Sequence, residues 1–441
     1  TKYTCLSQMT GLLLPKSASL SECCFSREAV KQQRGWFDVI SEEQLQEKIM
    51  KRLDLSKEIE DDELTGLIFR VLAEESEMEY IPLQKKVSLG RELFNVFRKL
   101  DVLQDFIEDE EITEIMINGT QNIFVEKRGK LYLTDKRFPS RTRLEDVVQQ
   151  IVSGANRMVN EASPIVDARL ADGSRVNVVL YPVALNGPIV TIRKFPQEQI
   201  TMKELIRLGA LSEELAEFLK MLVVSGYNIF ISGGTGSGKT TLLNALSQFI
   251  PKDERIITIE DNAELQIQGV PNLVRLEARN PNAEGTGEIT IRSLIRSALR
   301  MRPDRIIVGE VRGPETIDMI QAMSTGHKGS LSTGHSDSPK DMLQRLETMV
   351  IMGMDIPLAA VQRQIASAID IIIHIGRLRD KSRKILEVVE VLNYEEAQIK
   401  TRPLYEFEET EGGKPGEMVK GSWKKAAELF HKEKLFSAGY Q

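Results

Sequence analysis

The sequence predicts an α/β protein: a mostly parallel, helix-covered sheet in the C-terminal half, preceded by a smaller α/β unit and a helical segment. Three observations carry this. From Glu213 onward, short Ile- and Val-rich runs alternate with helical periodicity, the pattern of strands joined by crossover helices. Between Glu114 and Phe195 the runs are instead separated by tight turn signals. From Ser41 to Leu103 apolar residues recur at three- and four-residue spacing with no strand signal between them.

Taken in order, residues 1–40 have no sustained period and are expected to be a poorly ordered extension. All three cysteines (Cys5, Cys23, Cys24) lie there and read as reduced thiols, neither a disulfide framework nor a zinc site. Residues 41–103 form a helical subdomain, with Leu45, Ile49 and Leu53 on one stripe and Leu89, Leu93, Val96, Phe97 and Leu100 on another. Residues 104–195 form the first α/β domain. Its expected strand is Glu114–Asn118, followed by a hairpin of Asn122–Lys127 and Lys130–Thr134 around Arg128-Gly129. A helix presents Leu144, Val147, Val148, Ile151 and Val152. A second hairpin, Ile165–Leu170 with Arg175–Leu180, turns at Asp172-Gly173, and Pro188–Phe195 is the last strand. Residues 196–212 are the linker, 213–395 the second domain and 396–441 a C-terminal extension. The last thirty residues, with Gly412-Gly413 and Pro415, are expected to be peripheral.

In the second domain the expected strands are Tyr227–Ser232, Arg255–Glu260, Asn272–Glu277, Arg305–Gly309, Gly329–Thr333, Asp370–Gly376 and Ile385–Leu392. Ile291, Leu294, Ile295, Ala298 and Leu299 mark one face of a helix. The first strand runs into Gly233-Gly234-Thr235-Gly236-Ser237-Gly238-Lys239-Thr240-Thr241, a Walker A sequence between strand and helix. Glycines let backbone N–H groups converge on phosphate oxygens at a helix N-terminus, where negative charge is favoured. Lys239 then neutralises the β/γ-phosphates and the Thr240 hydroxyl ligates Mg²⁺, so ATP and Mg²⁺ are the expected cofactors.

Two further strands end in acids: Ile256–Asp261 closes on Glu260 and Asp261, and Arg305–Glu310 on Glu310. Ligands of a parallel sheet bind at the carboxyl ends of its strands. Glu310 is therefore expected to orient or deprotonate the attacking water or to hold Mg²⁺, and Glu260 to complete the metal and water shell. Of four histidines, His327 and His335 share a repeated Thr-Gly-His, fit for sensing the γ-phosphate, with no third ligand at a spacing that suits zinc. His374 reads as a satisfied strand residue and His431 as a surface one. Arg169, Arg175 and Arg193, on first-domain strands, are candidate phosphate-contacting cations, with ordinary surface charge as the alternative.

The net charge of −7 and pI of about 5.5 lean against a protein whose main task is gripping a nucleic-acid backbone. No apolar run approaches the roughly 18–20 residues needed to span a bilayer, and Leu12-Leu13-Leu14 is too short for a signal-peptide core, so a cytoplasmic location is expected.

These motifs resemble the type II/type IV secretion ATPase superfamily, and most closely the CpaF-like branch of Tad/Flp pilus assembly. Its four boxes appear in order: Walker A at Gly233–Thr240, the Asp box at Thr258–Leu265, Walker B at Arg305–Arg312 and the His box at Thr325–His335. Arg300-Met301-Arg302-Pro303-Asp304-Arg305, Asp109–Asn118 and Asp167–Arg175 are also family-like, so the resemblance spans about 100–395. It implies a RecA-like P-loop domain behind a small PAS-like α/β domain and an N-terminal helical segment. It also implies a homo-hexamer with nucleotide between the two domains, and inner-membrane platform proteins as partners, at the inner face of the cytoplasmic membrane. Arg175 and Arg193 then match cations that reach the γ-phosphate, Glu310 the catalytic glutamate, Glu260 the Asp-box acid, and His327 and His335 the His-box pair. Two departures are visible: Ser336-Asp337 follows the second Thr-Gly-His where Ala-Asn is common, and a tetracysteine zinc insertion is absent. The remaining readings are a type IV secretion or conjugation ATPase, a RecA-like nucleic-acid motor or packaging ATPase, and a non-hydrolysing scaffold. The acidic pI and the His box count against the nucleic-acid motor; Lys239, Glu260 and Glu310 together count against the scaffold.

Overall fold

The computed structural model describes residues 42–54, 57, 59–78, 80–127, 129–155, 157–195, 200–279, 281, 286–410 and 417–440. Expectations for residues 1–40, Arg128 and the Gly412–Pro415 turn lie outside them. Two compact units divide at Lys194/Phe195.

The first unit opens with helices Glu42–Met50, Asp61–Met78 and Leu83–Arg98. Their apolar stripes meet in a core of their own, where Leu45, Ile49, Leu89 and Leu93 are buried and Leu53 and Phe97 pack on the rim. Six antiparallel strands follow: β1 (Ile112–Asn118), β2 (Asn122–Lys127), β3 (Lys130–Leu133), β4 (Ile165–Arg169), β5 (Arg175–Val179) and β6 (Ile189–Arg193). Their order is β3-β2-β1-β6-β5-β4. Alternation along β1 and β5 buries Ile115, Ile117, Val176 and Val178 against Leu144, Val147, Val148, Ile151 and Val152 of helix Arg141–Gly154. Ser140 caps that helix by accepting from Arg143 N at 3.1 Å. The β4–β5 turn is held by Asp172 Oδ1, which accepts from Ser174 N at 2.9 Å, and by Gly173 at φ +90°.

The second unit is built on a nine-stranded sheet: β7 (Ile229–Ser232), β8 (Ile256–Glu260), β9 (Leu273–Glu277), β10 (Arg305–Val308), β11 (Leu331–Gly334), β12 (Ile371–Arg377), β13 (Arg383–Glu395), β14 (Gln398–Glu409) and β15 (Gly421–Lys425). The order is β15-β14-β13-β12-β7-β11-β10-β8-β9. The run from β12 to β9 is parallel, and β13–β15 are added antiparallel. Both faces of the parallel part are buried, as crossover helices require. Ile229, Ile231, Ile307, Leu331 and Ile373 face helices Glu213–Val224 and Lys239–Ser247. Phe230, Ile257, Ile259, Val308 and Ile372 face helices Ile291–Ala298, Thr316–Ser324, Pro339–Gly353 and Leu358–Ala368. This is the P-loop α/β arrangement the sequence predicts.

One expectation is corrected: the last thirty residues are not peripheral. β15 closes the sheet, Leu429 and Leu435 enter the main core, and Tyr227 Oη donates to His431 O at 2.6 Å. The buried carboxylate of Glu390, 1 % exposed, accepts from Phe430 N and His431 N at 2.8 and 2.7 Å. His431 is thus half-buried beside Glu390, not a plain surface residue. No helix of the described residues is long and apolar enough to cross a membrane.

Candidate nucleotide site

β7 is buried at all four residues and ends directly in the glycine-rich loop. Glycine is demanded there by contact and by conformation. A Cβ on Gly233 would lie 2.2 Å from Ile375 O, and Gly238, the residue that opens helix Lys239–Ser247, has φ +99°. The loop thus turns back so that the helix N-terminus faces it, carrying Lys239, Thr240 and Thr241 in its first turn. Thr235 and Gly236 are exposed at the loop tip, while Ser237 and Lys239 are buried. Lys239 Nζ donates to Gly233 O and Gly234 O at 3.1 and 3.0 Å.

Ninety-six residues along the chain, His335 meets this lysine: its Nδ1 lies 3.2 Å from Lys239 Nζ. On the other side of the ring, Nε2 is 3.1 Å from Glu310 Oε1. An ammonium can only donate and a carboxylate only accept, so the two contacts select the neutral imidazole that accepts at Nδ1 and carries its proton on Nε2. Burial, and then the Lys239 charge, lower the His335 pKa against the pull of Glu310, which agrees with that neutral form. Burial also lowers the Lys239 pKa, with Glu310 opposing.

The ends of β10 and β11 are locked together at this point. Thr333 Oγ1 donates to Gly309 O at 2.7 Å, and Val311 N to Thr333 O at 3.0 Å. Glu310 and His335 therefore leave adjacent strands side by side.

Glu260 ends β8 two strands from β11 and is 3 % exposed. Its Oε1 accepts from the amides of Glu264 and Leu265, both at 2.8 Å. Its Oε2 is buried with no hydrogen-bond partner among the described residues, as is Ser237 Oγ. Burial raises the Glu260 carboxyl to about 7, the two amides pulling the other way. Gly309 makes room for it: a Cβ there would stand 2.9 Å from Glu260 Cγ. Orphaned buried oxygens of this kind fit a site that receives an additional polar group.

The structure does not unite the two histidines. His327 precedes β11 at the opposite, amino edge of the sheet, where its Nδ1 lies 3.3 Å from Ala322 O and its carbonyl accepts from Ser330 Oγ at 2.8 Å. β11 stands between them, so within one chain His335 alone joins the Lys239–Glu310 contacts while His327 lies at the other end of the strand. Arg175 and Arg193 belong to the first unit, where β5 and β6 make them direct cross-strand partners, with Arg169 opposite Arg175 on β4. His374 is buried on β12 with Nδ1 2.9 Å from Ser232 Oγ, the satisfied strand residue expected. Sequence reasoning missed Arg383, whose Nε donates to Gly236 O at 2.8 Å. No motif marks it, and it enters the loop from a strand 147 residues away.

The geometry is that of a P-loop phosphate site with an acid and a neutral histidine at its mouth. The chain also resembles known proteins. Residues 98–412 match the family model described as "Type II/IV secretion system protein". The conjugal transfer protein TrbB of Rhizobium radiobacter is 31 % identical over 307 residues, 69 % of this chain and 91 % of that protein. The type IV secretion system protein PtlH of Bordetella pertussis is 32 % identical over 302 residues, 63 % of this chain and 89 % of that one. Among solved structures, the ATPase DotB of Yersinia pseudotuberculosis overlays with a TM-score of 0.50 at 19 % identity, covering 67 % of this chain and 79 % of that one, a likeness of fold. The chain belongs to the type II/IV secretion system protein family.

Proposed function

We propose that this chain is an Mg²⁺-dependent ATPase that works as a homo-hexameric ring and powers a secretion or pilus machine. The observation that carries the reading is the contact chain from Lys239 through His335 to Glu310 at the mouth of the phosphate loop. In it Lys239 neutralises the β/γ-phosphates, and the loop amides of Gly234–Thr240 cradle them. Glu310 accepts a proton from the attacking water or orients it, and His335 reports the γ-phosphate because it touches both the phosphate-binding lysine and that glutamate. Among the described residues no group of three or more His, Cys, Asp or Glu forms a ready metal site. Thr240, Glu310 and the unpartnered oxygen of Glu260 are a donor set that suits Mg²⁺, which is commonly held by one or two carboxylates together with substrate phosphates. An ion held there would supply charge neutralisation for the phosphates.

Arg175 and Arg193 are read as the cations that reach the γ-phosphate from the first unit. Closure of one unit on the other around nucleotide would be the work-producing step. The partners are inner-membrane platform proteins at the cytoplasmic face, without direct nucleic-acid contact. The three-helix subdomain ahead of the first sheet supports the CpaF-like, Tad/Flp pilus branch. The relatives named for conjugal transfer and type IV secretion favour a second reading, an export or conjugation ATPase. Phosphate release from MgATP by the wild type and by Lys239→Ala, with molar mass by light scattering, tests the core of the proposal. It requires turnover that rises as a six-subunit species forms and is lost in the variant; turnover by a strict monomer sinks the ring.

A further inference from the structure

We infer that Arg383 is a nucleotide-binding residue that holds the diphosphate part of the ligand, on the flank of the phosphate loop opposite Glu310 and His335. This rests on the ATPase reading above. Sheet order provides the sidedness: β7 has β11 and then β10 on one side, and β12 and then β13 on the other. Glu310 and His335 come from the first side and mark where the γ-phosphate ends. Arg383, the first residue of β13, comes from the second, so it faces the part of the ligand that stays behind as the diphosphate.

The arginine is built into the loop. A Cβ on Gly238 would meet its Cδ at 3.4 Å, ordinary van der Waals contact, so the aliphatic stem lies close along the loop. Nε donates to Gly236 O at 2.8 Å. That bond engages the negative end of a loop carbonyl, which an unpartnered position would leave free to oppose an incoming phosphate. Among the described residues, nothing accepts from the two Nη groups. A guanidinium fixed through Nε keeps its Nη edge for bidentate contact with a phosphate.

Its backbone is fixed as well. The next residue, Lys384, is 9 % exposed; its Nζ donates to Gly209 O at 2.7 Å and stands 5.5 and 5.7 Å from the ring centroids of Phe407 and Trp423. After it, Ile385 N donates to Ala210 O at 2.9 Å. One exposed arginine is thereby held in place by two buried neighbours, an arrangement a casual surface charge does not need.

The test is MgADP affinity by calorimetry for wild type, Arg383→Ala and Arg383→Lys, with melting temperatures measured without nucleotide. A charge-assisted contact predicts binding weakened roughly tenfold to a hundredfold in Arg383→Ala. Arg383→Lys should fall between, keeping the charge and losing the fork. In turnover, KM should rise far more than kcat falls, because the contact is made equally before and during the reaction. Unliganded melting temperatures should agree. If Arg383→Ala binds MgADP within about twofold of a wild type that does bind it, the inference fails while the ATPase reading stands. A loss of affinity matched by a lower unliganded melting temperature also overturns it, as a structural effect. A wild type that binds no nucleotide removes the reading and the inference with it.

Discussion

Replacing Glu260 by Gln should change how stability depends on pH, by an amount the structure fixes. Burial raises this carboxyl from an ordinary 4.5 to about 7. A raised pKa means that the fold favours the protonated acid. Its contribution is full below pH 4.5, is lost as pH rises through 7, and is gone near pH 8. At 1.36 kcal/mol for each pKa unit, the loss between pH 5 and 8 is about 2.5 kcal/mol. Glutamine keeps an oxygen for the amides of Glu264 and Leu265 and cannot titrate. The difference in stability, wild type minus variant, should therefore fall by that amount over the window. For a unit of this size it corresponds to about 5–10 °C in melting temperature. Thermal unfolding of both proteins at pH 5, 6, 7 and 8, without nucleotide, gives the answer. A difference that stays flat from pH 5 to 8 would refute the assignment of a buried, largely protonated Glu260.

Other consequences follow from contacts already described. Arg305 is 2 % exposed, paired with Glu254 and donating to Val223 O at 2.7 Å, so Arg305→Ala should cost about 3 kcal/mol, some 6–12 °C in a thermal melt. A drop under 2 °C would mean that the pair contributes little. Gly309→Ala pushes a methyl to 2.9 Å from Glu260 Cγ; overpacking of this kind costs about 1–3 kcal/mol. Because the clash displaces Glu260, ATP turnover should fall further than the melting shift explains; equal losses would argue that Glu260 has no part in the site. His335→Ala removes the link between Lys239 and Glu310 and should lower turnover while leaving the fold intact, which circular dichroism and phosphate release together will show.

Much of this was legible in the sequence, because its physics is local. Walker A was readable because its glycines, lysine and threonine are consecutive, and β8 and β10 because their buried parallel strands are built largely of Ile and Val. The outer antiparallel strands were harder. In β14, residues such as Glu406 and Glu408 alternate with Tyr405 and Phe407, so half the strand reads as solvent-facing and its membership of the large sheet is lost. The C-terminal residues carry no such signal for a different reason: what anchors them is Glu390, a buried acid between Val389 and Val391, and its partners are backbone amides. Nor could spacing separate the two Thr-Gly-His repeats. They are eight residues apart, but a strand lies between them and sends them to opposite edges of the sheet. Asn228 is a similar case. Its side chain donates to Met323 O and Ala368 O and accepts from the amides of Gly329 and Ser330, joining two helix ends to the segment before β11 through one residue with no motif.

The most direct test of the central claim compares the wild type with Glu310→Gln, measuring phosphate release and MgATP affinity on the same samples. If Glu310 activates the attacking water, the variant should bind MgATP about as well as wild type and release phosphate about two to four orders of magnitude more slowly. Wild-type turnover in the variant would contradict the account, because the acid touching His335 would then have no part in the chemical step.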